Sequence, residues 1–159
     1  MKGMPMVITL VAGLVVVLAG GCGGHQVTAF EDCNDVVVTL ERTPCFGFCP
    51  VYTLTVHGTG TVKYEGRDFV DVKGTVTTNI SRNTVAELVA AFEKADYFSL
   101  KDAYTERTIT DAPSVLTSIT VSGVTKSVEH YPGDLNAPEA LTVLENTIDE
   151  LVNSEQWIE

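Results

Sequence analysis

Apolar and polar positions alternate along much of the chain from Val36 to His130, and the period lengthens to that of a helix in two stretches. Val36-Val37-Val38-Thr39-Leu40 reads as a first strand. Tyr52, Leu54 and Val56 alternate with Thr53, Thr55 and His57; Gly58-Thr59-Gly60 marks a turn; Val62 and Tyr64 continue the alternation. Residues 51–65 therefore predict a hairpin. Val70, Val72 and Val76 predict another strand, with Gly74 as a bulge. Ser81 is expected to cap a helix that carries Val85, Leu88, Val89 and Phe92 on one face. Tyr97 to Asp111 has no period. Val115, Ile119 and Val121, with Thr117, predict a strand, Ser122-Gly123 a tight turn, and Val124 to His130 the returning strand. The last element is the clearest helix. Asn136 is expected to cap it, Pro138 to lie in its first turn and Glu139 to close a capping box, ahead of a stripe of Leu141, Leu144, Ile148, Leu151 and Val152. The order ββββαββα predicts an α+β fold: an antiparallel sheet of about six strands with two helices packed on one face.

A different pattern precedes these elements. Val7 to Leu18 is an unbroken twelve-residue run in which Lys2 is the only upstream charge, and Ala19-Gly20-Gly21-Cys22 follows it. The length suits the apolar region of an export signal and falls short of the ~20 residues needed to span a bilayer. The approach to Cys22 resembles the acceptor segment of bacterial lipoproteins, although Leu18 stands four places before the cysteine rather than three. Small residues at Ala19 and Gly21 would also suit an ordinary signal peptidase. The expected organisation is a signal peptide over residues 1–21, a lipid-attachment cysteine and tether over 22–34, and a single α+β domain over 35–159. That places the protein in the cell envelope, as an outer-membrane lipoprotein facing the periplasm or the cell surface. It would be secreted if Cys22 carries no acyl chain.

Charge narrows the partners. Without residues 1–21 the chain has nine Lys and Arg against 21 Asp and Glu, a formal charge of −12. Such a surface repels phosphate backbones, so no nucleic-acid partner is expected, and membrane attachment should come through the lipid anchor.

The most distinctive stretch of the mature chain is Thr43-Pro44-Cys45-Phe46-Gly47-Phe48-Cys49-Pro50-Val51-Tyr52. With Asp111-Ala112-Pro113 and His130-Tyr131-Pro132-Gly133-Asp134, it resembles an uncharacterised family of bacterial extracytoplasmic and lipoprotein domains. Members carry a Pro-Cys-Phe-Gly-x-Cys-Pro-x-Tyr segment, a glycine-turned hairpin and a helix, then those two later segments in the same order. The resemblance covers roughly residues 36–157 and implies a fold and a compartment, with no established activity.

Three chemistries are open to Cys45 and Cys49. The preferred one is a structural disulfide, because export places the thiols where oxidation is allowed and Gly47 permits the bend. The second is a metal site. Cys-x-x-x-Cys-Pro is similar to the spacing in Sco-type copper chaperones, and thiolates with His130 or His57 would suit Cu(I). Against it, the segment here runs straight into a strand rather than into a helix. The third, thiol–disulfide exchange, lacks the helix N-terminus or cation cluster that activates a thiolate, since Arg42 is the only cation near. Cys33 is left unassigned: it has no evident partner if Cys22 is acylated and Cys45 pairs with Cys49.

No nucleophile–base pair, P-loop or metalloprotease segment appears in the sequence, so no catalytic residue or cofactor is assigned. Asp111 and Asp134 read as turn carboxylates, His57 as an exposed turn residue, and His130 as a hydrogen-bonded core or rim histidine. The expected function is that of a non-enzymatic binding or structural module with an unidentified protein or small-molecule ligand. The alternative is a thiol-based metal-binding or redox module built on Cys45 and Cys49.

Overall fold

The alternating positions build one seven-stranded sheet. In the computed structural model, which describes residues 33–159, the strands are β1 (Val37–Arg42), β2 (Val51–His57), β3 (Thr61–Asp68), β4 (Gly74–Asn79), β5 (Ala103–Tyr104), β6 (Val115–Val121) and β7 (Val124–His130). They lie in the order β4-β3-β2-β1-β6-β7-β5. Three helices follow the sequence order: α1 (Arg82–Lys94), α2 (Glu139–Val152) and the short α3 (Glu155–Ile158). The segment that holds Cys22 lies outside the described residues. Cys33 enters only through its backbone, in a 3-10 turn at Cys33–Asp35, and its pairing also lies outside them. Among the described residues no helix is long and apolar enough to cross a membrane.

β1 is the centre of the sheet, antiparallel to β2 on one side and to β6 on the other. Its Val38 and Leu40 point the same way as Leu54, Val56, Val62 and Tyr64 of β2 and β3 and as Thr117 and Ile119 of β6. Those side chains, with Val85, Leu88, Val89 and Phe92 of α1 and Leu141, Leu144, Ile148 and Val152 of α2, form one buried core. Both long helices therefore cover the same face. The other face carries Thr39, Thr53, Thr55, Ser118 and Ser127 and is only partly buried. It holds an open concavity of about 680 Å³ lined in part by Thr39, Glu41, Thr53 and Ser118.

The α+β architecture follows the sequence pattern, with a third helix, α3, beyond the two expected and four further local departures. A seventh strand exists: Ala103 and Tyr104 pair parallel with Glu129 and His130, so the sheet is mixed. Two residues are too few to show a period. Val70 and Val72 are outside the β3–β4 ladder, because the Val72 N–H donates to the Trp157 carbonyl (3.0 Å) in α3 rather than to a strand. The register shifts between Val51 and Tyr52 of β2, which face Asp68 and Gly66, so the extra residue is Arg67 on β3 and not Gly74, which opens β4 with φ of 93°. Asn136 does not cap α2. Its backbone and side-chain N–H groups donate to Asp134 Oδ1 (2.8 and 3.1 Å), and Pro138 occupies the cap position without a side-chain bond. Ser81 does cap α1, accepting from the Thr84 N–H at 3.0 Å. Ser122 and Gly123 both have positive φ, as a two-residue hairpin turn requires.

Candidate functional site

The chemistry-bearing residues collect at one end of the sheet, where β1 ends and β2 begins. Tyr52, Arg42, Val115, His130 and Tyr104 are successive cross-strand partners on β2, β1, β6, β7 and β5, so they share a face. Helix α2 lies over this row. Glu145 and Asp149, four residues apart and hence on one side of the helix, meet it at two points.

At the first, His130 Nδ1 faces the Glu145 carboxylate at 2.9 and 3.1 Å, with both side chains 4% exposed. Facing a carboxylate, Nδ1 carries the proton and donates. At the second, Asp149 accepts four hydrogen bonds. Its Oδ2 takes Arg42 Nε (3.0 Å) and Nη2 (2.7 Å), and its Oδ1 takes the Tyr52 hydroxyl (2.7 Å) and Ser154 Oγ (2.6 Å). Arg42 Nε also donates to Tyr52 Oη at 2.9 Å. Burial and the charge of Asp149 push the Tyr52 phenol well above its usual range. Burial is the largest single influence on Arg42 and lowers its pKa, but the charge of Asp149, the neighbouring Tyr52 and the hydrogen bonds to both together outweigh it, so the guanidinium is held firmly protonated. Among the described residues no buried side-chain nitrogen or oxygen lacks a partner. The seam is thus a pair of polar clasps that dock α2 across the strands.

The three segments singled out in the sequence converge beside this seam. Cys45 and Cys49 form a disulfide with their α-carbons 5.8 Å apart. The loop between them is pinned to the Asp111 segment by Phe46 N–H donating to the Asp111 carbonyl (3.2 Å), and Thr43 exchanges bonds with Ser114. Tyr131 ties the third segment to the second: its hydroxyl donates to the Ile109 carbonyl (3.1 Å) and accepts from the Ala112 N–H (3.2 Å). Gly133 is required there, since a Cβ would sit 2.7 Å from Ile109 Cγ1 and 2.9 Å from Tyr131 Cε1. Asp134 accepts from the Glu106 N–H (3.0 Å) and from Asn136, and these backbone donors hold its pKa below the usual carboxylate range. Asp134 does act as the turn carboxylate that its sequence setting suggests.

The expected site residues divide accordingly. Cys45 and Cys49 are joined to each other, so in this state neither sulfur is a thiolate. His130 lies at the same end of the sheet, with its Nδ1 engaged by Glu145. His57 ends β2 at the far end and is exposed. Among the described residues no group of three or more His, Cys, Asp or Glu side chains is disposed to hold a metal ion. Sequence reasoning missed Glu145, Asp149, Arg42 and Tyr52 as a unit. The available signal was two acids spaced four apart beside the apolar stripe of α2.

Residues 36–152 match the family model described as domain of unknown function (DUF6438). The chain belongs to the DUF6438 family. The DUF6438 match opens just before β1 and closes at the end of α2. It therefore contains the disulfide, the His130–Glu145 clasp, Arg42, Tyr52 and Asp149 of the other clasp and the three converging segments, while Ser154 and α3 with Trp157 lie beyond it. No curated protein sequence matches the chain.

Proposed function

We propose that this DUF6438 protein is an exported, lipid-anchored module of the bacterial cell envelope that works by binding or as a structural element rather than by catalysis. The observation that carries this reading is the Cys45–Cys49 disulfide at the head of the domain. Disulfides persist in oxidising compartments, and here one lies downstream of a leader-like apolar run, Val7 to Leu18, that Ala19-Gly20-Gly21-Cys22 follows. The closed clasps support the non-enzymatic half. His130, Glu145 and Asp149 are the seam groups able to transfer a proton, and each is held by a partner beneath α2, His130 by Glu145 and Asp149 by Arg42.

Expression of the whole chain with its own leader, followed by membrane fractionation and intact-mass measurement, tests the proposal. The expected result is a membrane-bound species that begins at Cys22, carries the added mass of acyl chains and contains oxidised cysteines. Cys22→Ser should move the protein to the soluble fraction. A cleaved species without lipid would leave a secreted module, and a cytoplasmic, fully reduced protein would overturn the reading. Stoichiometric Cu(I) binding by the reduced protein, abolished by Cys45→Ser, would favour a thiol-based metal module instead.

A further inference from the structure

We propose that the disulfide-closed loop is a docking tip, which inserts Phe46 and Phe48 into an apolar pocket of a second protein whose rim is basic. The inference rests on the binding-module reading above and names the surface that does the binding.

Phe46 and Phe48 are 89% and 86% exposed, the most exposed large apolar side chains among the described residues. Two phenyl rings held out in water two residues apart form an apolar projection, and aromatic side chains are the commonest anchors of protein interfaces. The loop that bears them is stiff. The Cys45–Cys49 bridge closes it, and the bonds from Phe46 to Asp111 and between Thr43 and Ser114 tie it to the sheet. A tip ordered before contact avoids much of the entropy lost when a flexible loop binds.

Phe69 provides an independent sign. Its φ of 53° lies in the left-handed region, which a bulky side chain occupies only under strain. That conformation sets its half-exposed ring edge-on to Phe48, with centroids 5.2 Å apart and planes at 89°. The segment behind it is anchored, because Val72 donates to the Trp157 carbonyl and the Tyr64 hydroxyl donates to the Val72 carbonyl. The fold thus holds a third aromatic ring in place against the tip at a cost in backbone strain.

Position and charge select the occupant. The chain enters β1 at Val37 and reaches the tip after Arg42, so any anchor upstream of Val37 attaches at the opposite end of a strand roughly 20 Å long. Around the base of the tip stand Glu41, Asp68, Asp71 and Asp111; Arg67 and Lys73 pair with Glu41 and Asp68, Arg42 is bound to Asp149 and Arg107 lies over the Tyr131 ring, so the acidic excess there rests on Asp71 and Asp111. An acidic collar repels anionic lipid headgroups. It also repels a second copy of a chain whose net charge is −11. The complement is a concave apolar pocket ringed by Lys or Arg.

Photocrosslinking in the native host tests this, with benzoylphenylalanine placed in the full-length chain at Phe46, at Phe48 or at the control position Val124. Val124 is 61% exposed at the far end of the sheet. The expected result is one protein adduct from positions 46 and 48 and none from 124. The purified adduct partner should then bind the purified domain, with affinity reduced about 30-fold by Phe46→Ser with Phe48→Ser and weakened by added salt. Both residues are so exposed that the double variant should keep the wild-type melting midpoint. Adducts to lipid, adducts to a second copy of the chain, equal yield from position 124, or undiminished binding by the double variant would each overturn the proposal. Fractionation of the same cells separates the two readings. A membrane-bound protein without tip adducts sinks only this inference, whereas a protein that is not exported sinks the underlying function as well.

Discussion

Replacing Asp149 with alanine should destabilise the domain by about 2–4 kcal/mol. The carboxylate accepts two hydrogen bonds from Arg42 and one each from Tyr52 and Ser154. Alanine leaves the guanidinium with the Tyr52 oxygen as its remaining partner in this group and strands two hydroxyls. Breaking a fully buried ion pair costs about 3–5 kcal/mol. Here the side chains of Arg42 and Asp149 retain 23% and 18% exposure, so water recovers part of that loss. The two hydroxyls add back about 1 kcal/mol each at most. Urea unfolding followed by far-ultraviolet circular dichroism reads the effect directly. With a slope of roughly 2 kcal/mol/M, the midpoint should fall by about 1–2 M and the slope should not change. The double substitution Arg42→Met with Asp149→Leu should recover much of the loss, because it removes both charges rather than orphaning one. A midpoint shift below about 0.3 M for Asp149→Ala, or a double variant no more stable than the single, would refute the claim that this clasp docks α2.

Three further outcomes are expected. His130→Leu should cost about 3–5 kcal/mol by leaving the Glu145 carboxylate buried and unpaired, whereas Glu145→Gln keeps an acceptor for Nδ1 and should cost no more than about 1.5 kcal/mol; thermal melts of the two variants give the order. Replacing Cys45 and Cys49 with serine should lower stability by about 2 kcal/mol, the chain-entropy value for so short a loop, and denaturant curves of the oxidised parent and the double variant measure it. Tyr97 donates its hydroxyl to the Thr117 carbonyl at 2.8 Å, and burial pushes its phenol up to about 12. The raised value means that its contribution is complete below the unfolded tyrosine pKa near 10 and is lost as pH rises toward 12. Tyr97→Phe should therefore cost about 1 kcal/mol at neutral pH and flatten the alkaline decline, as melting midpoints across that range would show.

Most of the elements were legible because their signals are local. The alternation in β2 and β3, the Ser122-Gly123 turn and the Ser81 cap each depend on residues within a few positions of one another. The expectations that failed had a competitor the local pattern does not contain. Asn136 is a sound cap in isolation, but the Asp134 carboxylate takes its donors. Val70 and Val72 alternate like a strand, but Trp157, brought in by the C-terminal helix, supplies the partner of the Val72 N–H. The cysteine segment was legible as a constraint on the chain, and the bridge joins its two cysteines with their α-carbons 5.8 Å apart.

By itself the amino-acid sequence determined the α+β class, the apolar stripes of α1 and α2, the acidic surface and the close spacing of Cys45 and Cys49. Each of these follows from periodicity, composition or short-range geometry. Only the tertiary structure decided that β1 lies at the centre with β2 and β6 on either side, that Arg42 meets Asp149 across 107 positions, and that the three motif segments gather at one end. It also decided that Phe46 and Phe48 point outward, where an aromatic residue next to a cysteine would ordinarily be assigned to the core. The physical reason is that a side-chain period specifies which face of an element is buried, whereas the choice of neighbour depends on long-range register and on competing hydrogen-bond partners that exist only once the chain has folded.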